Sequence, residues 1–433
     1  MRMLAVALAG LLFPAWASAS RLNYRVGMSV GHSDNIARSP TTPVAATVLA
    51  PWVGFALTEL TDRWSVQATG DLEHRRYSGG HFDSETRGRV GVRAAWQWVP
   101  QRLSWSFEDV LSDQPVNSFA ADQPGNRQLA NVLVTGPTLA LRPSPTMRLL
   151  GELRYVNTHA EKSTEFNGDR FGLNVRSLWQ LRPDRELSAN MESTDLHFDQ
   201  SATGTRDYRR YDAFLRFSQR GSRLEGVVDA GRSWLRYADS ARDSNLSVPA
   251  LRVRANLDLT DSTRLELRAT RQASDAAQDL IDSAPRVEDY ALPIGLPDLR
   301  PGVVSADVYR ERLAGAGIAH RTQSYYVRAD VLSRELDYQR EQAQDQNTDG
   351  WRLAVSRQAN ARLGLGAFAS GEERRYLAGG RTDRDGQVGL NLQWRWTRRL
   401  GITLELSRTE RDSSDPAQSY TDRRVLFSLS YVR

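Results

Sequence analysis

From Leu22 to the end of the chain, apolar and polar side chains alternate with a period of two, in many short segments. The first runs Leu22, Tyr24, Val26, Met28 and Val30, with Asn23, Arg25, Gly27 and Ser29 between them. The pattern returns at Val90, Val92, Ala94, Trp96 and Trp98, at Phe171 to Leu181, at Leu251 to Leu259, and at Val388 to Trp396. Successive side chains of a strand point to opposite faces, so each segment has one apolar and one polar face. No segment combines a helical period with caps.

The connections fall into two alternating classes. One is short: residues 61–63, 100–102, 143–145, 182–185, 220–223, 260–264, 321–323, 360–362 and 397–399. The other is long and polar: residues 32–43, 75–85, 112–127, 160–169, 196–207, 233–247, 273–302, 334–350, 374–385 and 412–422. Short turns at one end and long loops at the other are the pattern of a transmembrane antiparallel up-and-down β-barrel, with periplasmic turns and extracellular loops. Strands that follow the short turns begin on Trp64, Leu103, Leu149, Leu187, Leu224, Leu265, Tyr325, Leu363 and Leu400, mostly 37 to 46 residues apart. That spacing also fits propeller blades, but no Trp-Asp blade signature accompanies it. The count is 20 strands, or 18 if the weak segments Leu103–Asp109 and Trp351–Arg357 are miscounted. An even number places both termini on the short-turn side.

Residues 1–19 read as a signal peptide, with Arg2 as the positive start, Met3 to Phe13 apolar, and Ala17-Ser18-Ala19 as a small-x-small cleavage site. Residues 20–433 are then an outer-membrane β-barrel, with no apolar run long enough for a membrane helix. Mean hydropathy is negative, yet 9% of residues are aromatic, which argues against disorder. Half-polar strands reconcile the two. The net charge of +5 is carried by arginine, with Lys162 the single lysine. The sequence has no cysteine, which excludes disulfide staples, thiolate catalysis and cysteine metal sites.

Trp64, Trp96, Trp98, Trp105, Trp179, Trp394 and Trp396 all stand beside short turns, the position of the aromatic girdle of a membrane barrel. The final segment carries Val425, Phe427, Leu429 and Tyr431 on one face and resembles the C-terminal signal read by barrel-assembly machinery, although two residues follow Tyr431. Near the start, Tyr24-Arg25-Val26-Gly27 and Gly31-His32-Ser33-Asp34-Asn35-Ile36-Ala37-Arg38 resemble the opening of the putative beta-barrel porin 2 group. That resemblance implies an outer-membrane porin-like barrel associated with exopolysaccharide export.

Alternation assigns Arg25, Arg87, Arg89, Arg93, Arg148, Arg154, Arg170, Arg176, Arg216, Arg252, Arg254, Arg268 and Arg328 to the lumen. Asp71, Glu73, Glu108, Glu152, Asp212, Asp258, Glu266, Asp330 and Glu405 share that face. Rings of arginine favour anions, whereas interleaved signs favour cross-strand ion-pair ladders. The interleaving here points to ladders with a modest basic excess. The histidines, His32, His74, His81, His159, His197 and His320, are scattered without a triad spacing, so no enzyme activity is expected. Residues 345–350 match the first half of a calcium loop, but Ser356 stands where a bidentate Glu is needed, so neither metal nor cofactor is expected. The arginines form no exposed patch for nucleic acid. Expected partners are outer-membrane lipid and lipopolysaccharide, the barrel-assembly machinery and polysaccharide-export proteins.

Three roles fit: an exopolysaccharide conduit or accessory, a general or anion-preferring diffusion porin, and a non-conducting barrel acting as scaffold, adhesin or lipid-modifying enzyme. Residues 273–302 are too apolar for a solvated loop and rich in proline, so they are expected to fold over or into the barrel mouth. The compartment is checked by fractionation: the protein is expected in the outer membrane with heat-modifiable gel mobility, and recovery from the soluble periplasm overturns the barrel.

Overall fold

The computed structural model describes residues 21–199, 206–238, 245–287 and 304–433; the expected signal peptide, 1–19, lies outside the described residues. The chain forms one antiparallel sheet of 20 strands closed on itself. The first ten are β1 (Arg21–Ser33), β2 (Ala46–Leu60), β3 (Trp64–Tyr77), β4 (Glu85–Val99), β5 (Leu103–Pro115), β6 (Arg127–Ser144), β7 (Met147–Ala160), β8 (Gly168–Arg182), β9 (Arg185–Phe198) and β10 (Tyr208–Arg220). The rest are β11 (Leu224–Tyr237), β12 (Leu246–Thr260), β13 (Thr263–Asp275), β14 (Val308–Arg321), β15 (Tyr325–Tyr338), β16 (Gln346–Gln358), β17 (Leu363–Tyr376), β18 (Thr382–Arg395), β19 (Leu400–Ser413) and β20 (Tyr420–Val432). Each strand pairs with its sequence neighbours, and β1 pairs with β20 from Arg25↔Val432 to Ser33↔Arg424. The weak segments are full strands, β5 and β16, so the count is 20.

Several short turns share one device. The Thr61 hydroxyl accepts the Trp64 amide at 2.9 Å, Thr322 does the same for Tyr325 at 3.0 Å, and Thr397 for Leu400 at 2.9 Å. A hydroxyl at the first turn position replaces a backbone acceptor and fixes the reversal. The large apolar residue that follows each turn then starts the outward face.

The outward face carries the apolar band. Leu22, Val26, Met28 and Val30 of β1 are exposed there, as are Val388, Leu390, Leu392 and Trp394 of β18. Near the short turns the tryptophans touch: Trp64 stacks on Trp96 at 5.1 Å, Trp96 meets Trp98 edge-on, and Trp98 stacks on Trp105. Such offset and edge contacts suit the aromatic quadrupole.

Strands of 13 to 18 residues exceed the roughly 9–11 needed to cross a bilayer, and the surplus lies toward the long loops. There the outward face turns charged and cross-strand paired: Arg310–Asp337 at 3.3 Å, Arg312–Glu335 at 3.1 Å, Arg375–Asp349 at 2.9 Å, Arg384–Glu373 at 2.8 Å. This corrects the expected loop 334–350. Its polar residues are strand surface, and only 339–345 connects β15 to β16. The half-motif for calcium is dismantled with it: Asp345 accepts the Tyr338 amide at 2.6 Å, and residues 346–350 belong to β16.

Register makes the two faces testable. Val253 lies across from Val228 and Ala269 on the outward face, while Arg254 lies across from Val227 and Arg268 on the inward one. Val253→Arg is expected to cost about 2–4 kcal/mol. Arg254→Val removes only a solvent-accessible ion pair with Asp282 at 3.5 Å, worth about 1 kcal/mol or less. Urea unfolding of the folded barrel in lipid measures both, and equal losses overturn the register.

Candidate functional site: the barrel lumen

The register places all the sequence-assigned arginines on the inner wall. Arg25 faces Gly54; Arg87 and Arg89 face Glu73 and Asp71; Arg93 stands between Gln67 and Glu108. Arg148, Arg154, Arg170 and Arg176 follow along β7 and β8, and Arg216, Arg252, Arg254, Arg268 and Arg328 along β10, β12, β13 and β15. Many join carboxylates into ladders. Arg93 meets Glu108 at 2.7 Å, Arg148 meets Glu186 at 2.7 Å, and Arg216 grips Asp229 with two hydrogen bonds of 2.7 and 2.8 Å. Arg328 bridges Glu266 and Asp330, and Asp330 also takes Arg352. Arg252 lies over the Phe214 ring at 4.7 Å. A wall built this way is cross-linked by bidentate, charge-assisted contacts and is not a ring of free cations.

Two segments leave the wall and enter the interior. The first follows β13. Asp275 accepts the amides of Ala277 and Gln278 and caps a helix, α1 (Ala276–Asp282); this corrects the expectation of no capped helix, and its seven residues are too few to show a helical period in the sequence. Ala276, Ala277 and Leu280 pack on Ala130, Val132 and Ala160 of the inner wall, with Phe166 and Val304. Those apolar residues occupy inward positions of β6 and β7, where a solvated lumen would carry polar ones. Ion pairs fasten the segment from other sides: Arg170 to Asp275 at 2.9 Å, Arg254 to Asp282, and the buried Arg334 to both Asp279 and Glu311. Beyond the helix, Pro285 reaches the opposite wall at β4. A Cβ on Gly91 would stand 2.8 Å from the Pro285 carbonyl oxygen, so glycine there admits the close approach. Of the residues expected to fold into the barrel, 273–302, the first three are strand β13, 276–287 enter the interior, and 288–302 lie outside the described residues.

The second is the loop 116–126 between β5 and β6. Asn117 and Asn126 hold it together: the Asn117 amide donates to the Asn126 side chain, which returns bonds to the carbonyls of Asn117 and Ala121. Its tip crosses to the β17–β18 hairpin, at the last residue of β17 and the residue before β18. Phe119 packs on Tyr376 at 4.9 Å, Tyr376 donates to the Ser118 carbonyl at 3.0 Å, and Arg381 donates to the Phe119 carbonyl at 2.7 Å. On the other side Lys162 donates to the Gly125 carbonyl at 2.8 Å.

Under this loop lies a chamber of about 650 Å³, walled by β1–β6 and β17–β20. Its lining holds eight arginines and seven carboxylates, so its field is close to balanced. Asp122, on the loop, stands between Arg38, Arg87 and Arg127 at 3.6, 3.7 and 3.5 Å. Enclosure disfavours its charge, but the three guanidinium groups outweigh that and hold its pKa below the usual carboxylate range. Among the described residues no group of three or more metal-ligating side chains comes together.

Sequence reasoning assigned Arg87, Arg89, Asp71, Glu73 and Glu405 to this wall but missed Arg38, Asp122, Arg127, Arg374, Arg411 and Arg424. The last three are inward strand residues near the long-loop end: Arg374 fell inside the expected loop 374–385, and Arg411 and Arg424 flank the expected loop 412–422. Arg38, Asp122 and Arg127 were absorbed into two long loops. The signal for the second loop was present: Pro115, Asn117, Pro124, Gly125 and Asn126 in one connection describe an ordered loop.

Residues 348–432, which span almost all of β16 through β20, match the family model described as Putative beta-barrel porin 2. No curated protein matches the chain. Among solved structures, the FrpB iron transporter from Neisseria meningitidis is similar with a TM-score of 0.50 at 8% identity, over 95% of this chain and 82% of that one. The siderophore receptor PirA from Pseudomonas aeruginosa gives a TM-score of 0.43 at 12% identity, over 95% of this chain and 80% of that one. OccK5 (OpdH) from Pseudomonas aeruginosa gives 0.39 at 10% identity, over 97% of this chain and 100% of that one. At such identities the likeness to FrpB speaks for the fold alone. The chain has a porin-like outer-membrane barrel fold, and its last five strands match the Putative beta-barrel porin 2 model.

Proposed function

We propose that the protein is an integral outer-membrane conduit that works in exopolysaccharide export, as the channel or as an accessory to it. The observation that carries this reading is the chamber of about 650 Å³ with its near-balanced lining of arginines and carboxylates. Hydroxyl-rich chains need many donors and acceptors and little net field. Interleaved guanidinium and carboxylate groups supply both. The family match over β16–β20 supports the same class of protein.

A diffusion porin is the second reading. It is favoured by the segment 276–287, which crosses the interior from β13 to β4 and leaves less room for a polymer than for small solutes. In either case the segment narrows the path.

Two measurements separate the readings. In planar bilayers, replacing residues 276–303 by a short turn is expected to raise conductance several-fold. Arg334→Ala, which removes the guanidinium shared by Asp279 and Glu311, is expected to give a smaller rise with more frequent open events. Unchanged conductance in a heat-modifiable deletion protein overturns the narrowing. In the native host, in-frame deletion of the gene is expected to lower surface polysaccharide several-fold; full export with reduced uptake of small solutes replaces the export reading by the porin one.

A further inference from the structure

Asp122 is held in an unusual way. Three guanidinium groups from three separate segments surround it: Arg38 from the loop 34–45, Arg87 from β4 and Arg127 from β6. Yet all three stand at 3.5 to 3.7 Å, ion-pair range, longer than the roughly 2.7–2.9 Å of a charge-assisted hydrogen bond. The Asp122 Oδ1 atom is buried and accepts no hydrogen bond. The arginines are anchored independently of it. Arg87 holds Glu85, Arg127 grips Asp113 with bonds of 2.7 and 3.0 Å, and Arg38 donates to the Tyr420 hydroxyl at 3.3 Å while lying over that ring at 5.3 Å. Arg38 also takes a left-handed backbone, φ 49°, which a side chain adopts only when its surroundings require it. The cations are therefore placed without Asp122, two by the wall and Arg38 by its contact with Tyr420, and the carboxylate is brought to them by a loop that is fixed elsewhere.

That arrangement describes an anion site filled from within. Glu85 and Asp113 offset two of the three cations; Asp122 offsets the third, and without it the pocket is positive. We infer that Arg38, Arg87 and Arg127 form a binding site for a carboxylate-bearing solute, occupied in the resting barrel by Asp122 as a tethered counter-ion. A solute carboxylate in the chamber enters by exchange: it takes the place of the Asp122 carboxylate, and the loop 116–126 moves off β17 and β18. One carboxylate faces the three guanidinium groups before and after, so the attraction lost with Asp122 is regained from the solute. A solute carboxylate free to approach can reach the 2.7–2.9 Å geometry that the tether denies Asp122. The tether also acts as an internal competitor at high effective concentration, which weakens every external anion by the same factor.

The inference rests on the chamber being open to solute, as the conduit reading holds, but not on which solute is exported. Sodium glucuronate is the probe and glucose the neutral control, each titrated calorimetrically into the detergent-solubilised full chain. Asp122→Asn keeps the shape of the side chain and removes its charge, and is expected to bind glucuronate at least tenfold more tightly than the wild type. Adding Arg127→Gln to that variant is expected to abolish the gain, and glucose is expected to show no difference. Hydrogen exchange on the unaltered protein gives a second readout: saturating glucuronate is expected to raise exchange within 116–126, and glucose is not. The inference is overturned if a heat-modifiable Asp122→Asn barrel binds glucuronate no better than the wild type. If that variant does not fold, unchanged exchange in 116–126 of the wild type overturns it instead. Bilayer conductance in potassium chloride is read separately: a closed barrel with intact glucuronate exchange sinks the conduit and leaves the site standing.

Discussion

Closure of the sheet is the constraint on which everything else here depends. A strand in hydrocarbon cannot leave an amide or carbonyl unpaired, because each such group costs several kcal/mol. The first and last strands must therefore meet, and β1 and β20 do so along nine residue pairs. Once the ring is closed, its circumference is fixed by strand number and stagger. Every side chain is then assigned to one of two solvents by parity alone. Arg254 and Val253 are neighbours in sequence and live in different media. The wall has no third option, such as a buried core between layers, so hydrophobic burial in the usual sense is confined to what the loops carry inward.

The inner face meets that condition with arginine and not lysine. A planar guanidinium lies flat on a pleated wall and satisfies two carboxylate oxygens at once, as Arg216 does with Asp229 and Arg411 with Asp385. A lysine offers a point charge and no fork. Cross-strand pairs of this kind set register as well as polarity, because a slip of one residue would turn each pair toward the apolar medium. The basic excess that the composition suggests is largely consumed in this way, and the chamber is nearly neutral despite its eight arginines.

The architecture was legible in the sequence because parity is a local property. Strand number, the alternation of turn and loop, the inward residues and the tryptophan girdle all follow from period two and from where the turns fall. Loop ends were not legible in the same way. At 334–350 a polar stretch was read as loop, although Asp337, Glu335 and Asp349 are outward strand residues paired with arginines beyond the apolar band. Polarity marks the edge of the membrane, not the end of the strand. The chamber was the least legible part. Asp122 reaches Arg38, Arg87 and Arg127 through the path of a loop, and nothing in the spacing of those residues encodes that path. The inward fold of the segment after β13 could be anticipated, since its apolar residues needed cover, but the patch that covers it, Ala130, Val132 and Ala160, was hidden among strand residues of the expected size.

A ring that cannot change circumference can change its permeability only through what lies inside it. The two internal segments are held by different physics. The first has an apolar face on β6 and β7 and a buried arginine shared between Asp279 and Glu311; removing one partner of such a pair costs about 3–5 kcal/mol. The second is held at its tip by a few hydrogen bonds and one aromatic contact, each worth about 1 kcal/mol, with Asp122 at ion-pair distance and no closer. The first segment is thus a fixed partition of the lumen. The second is the part that the inferred exchange would displace, at the cost of contacts that the solute's own carboxylate replaces. On the proposed reading, control of passage therefore falls to the loop 116–126, on the side of the barrel where the chamber lies.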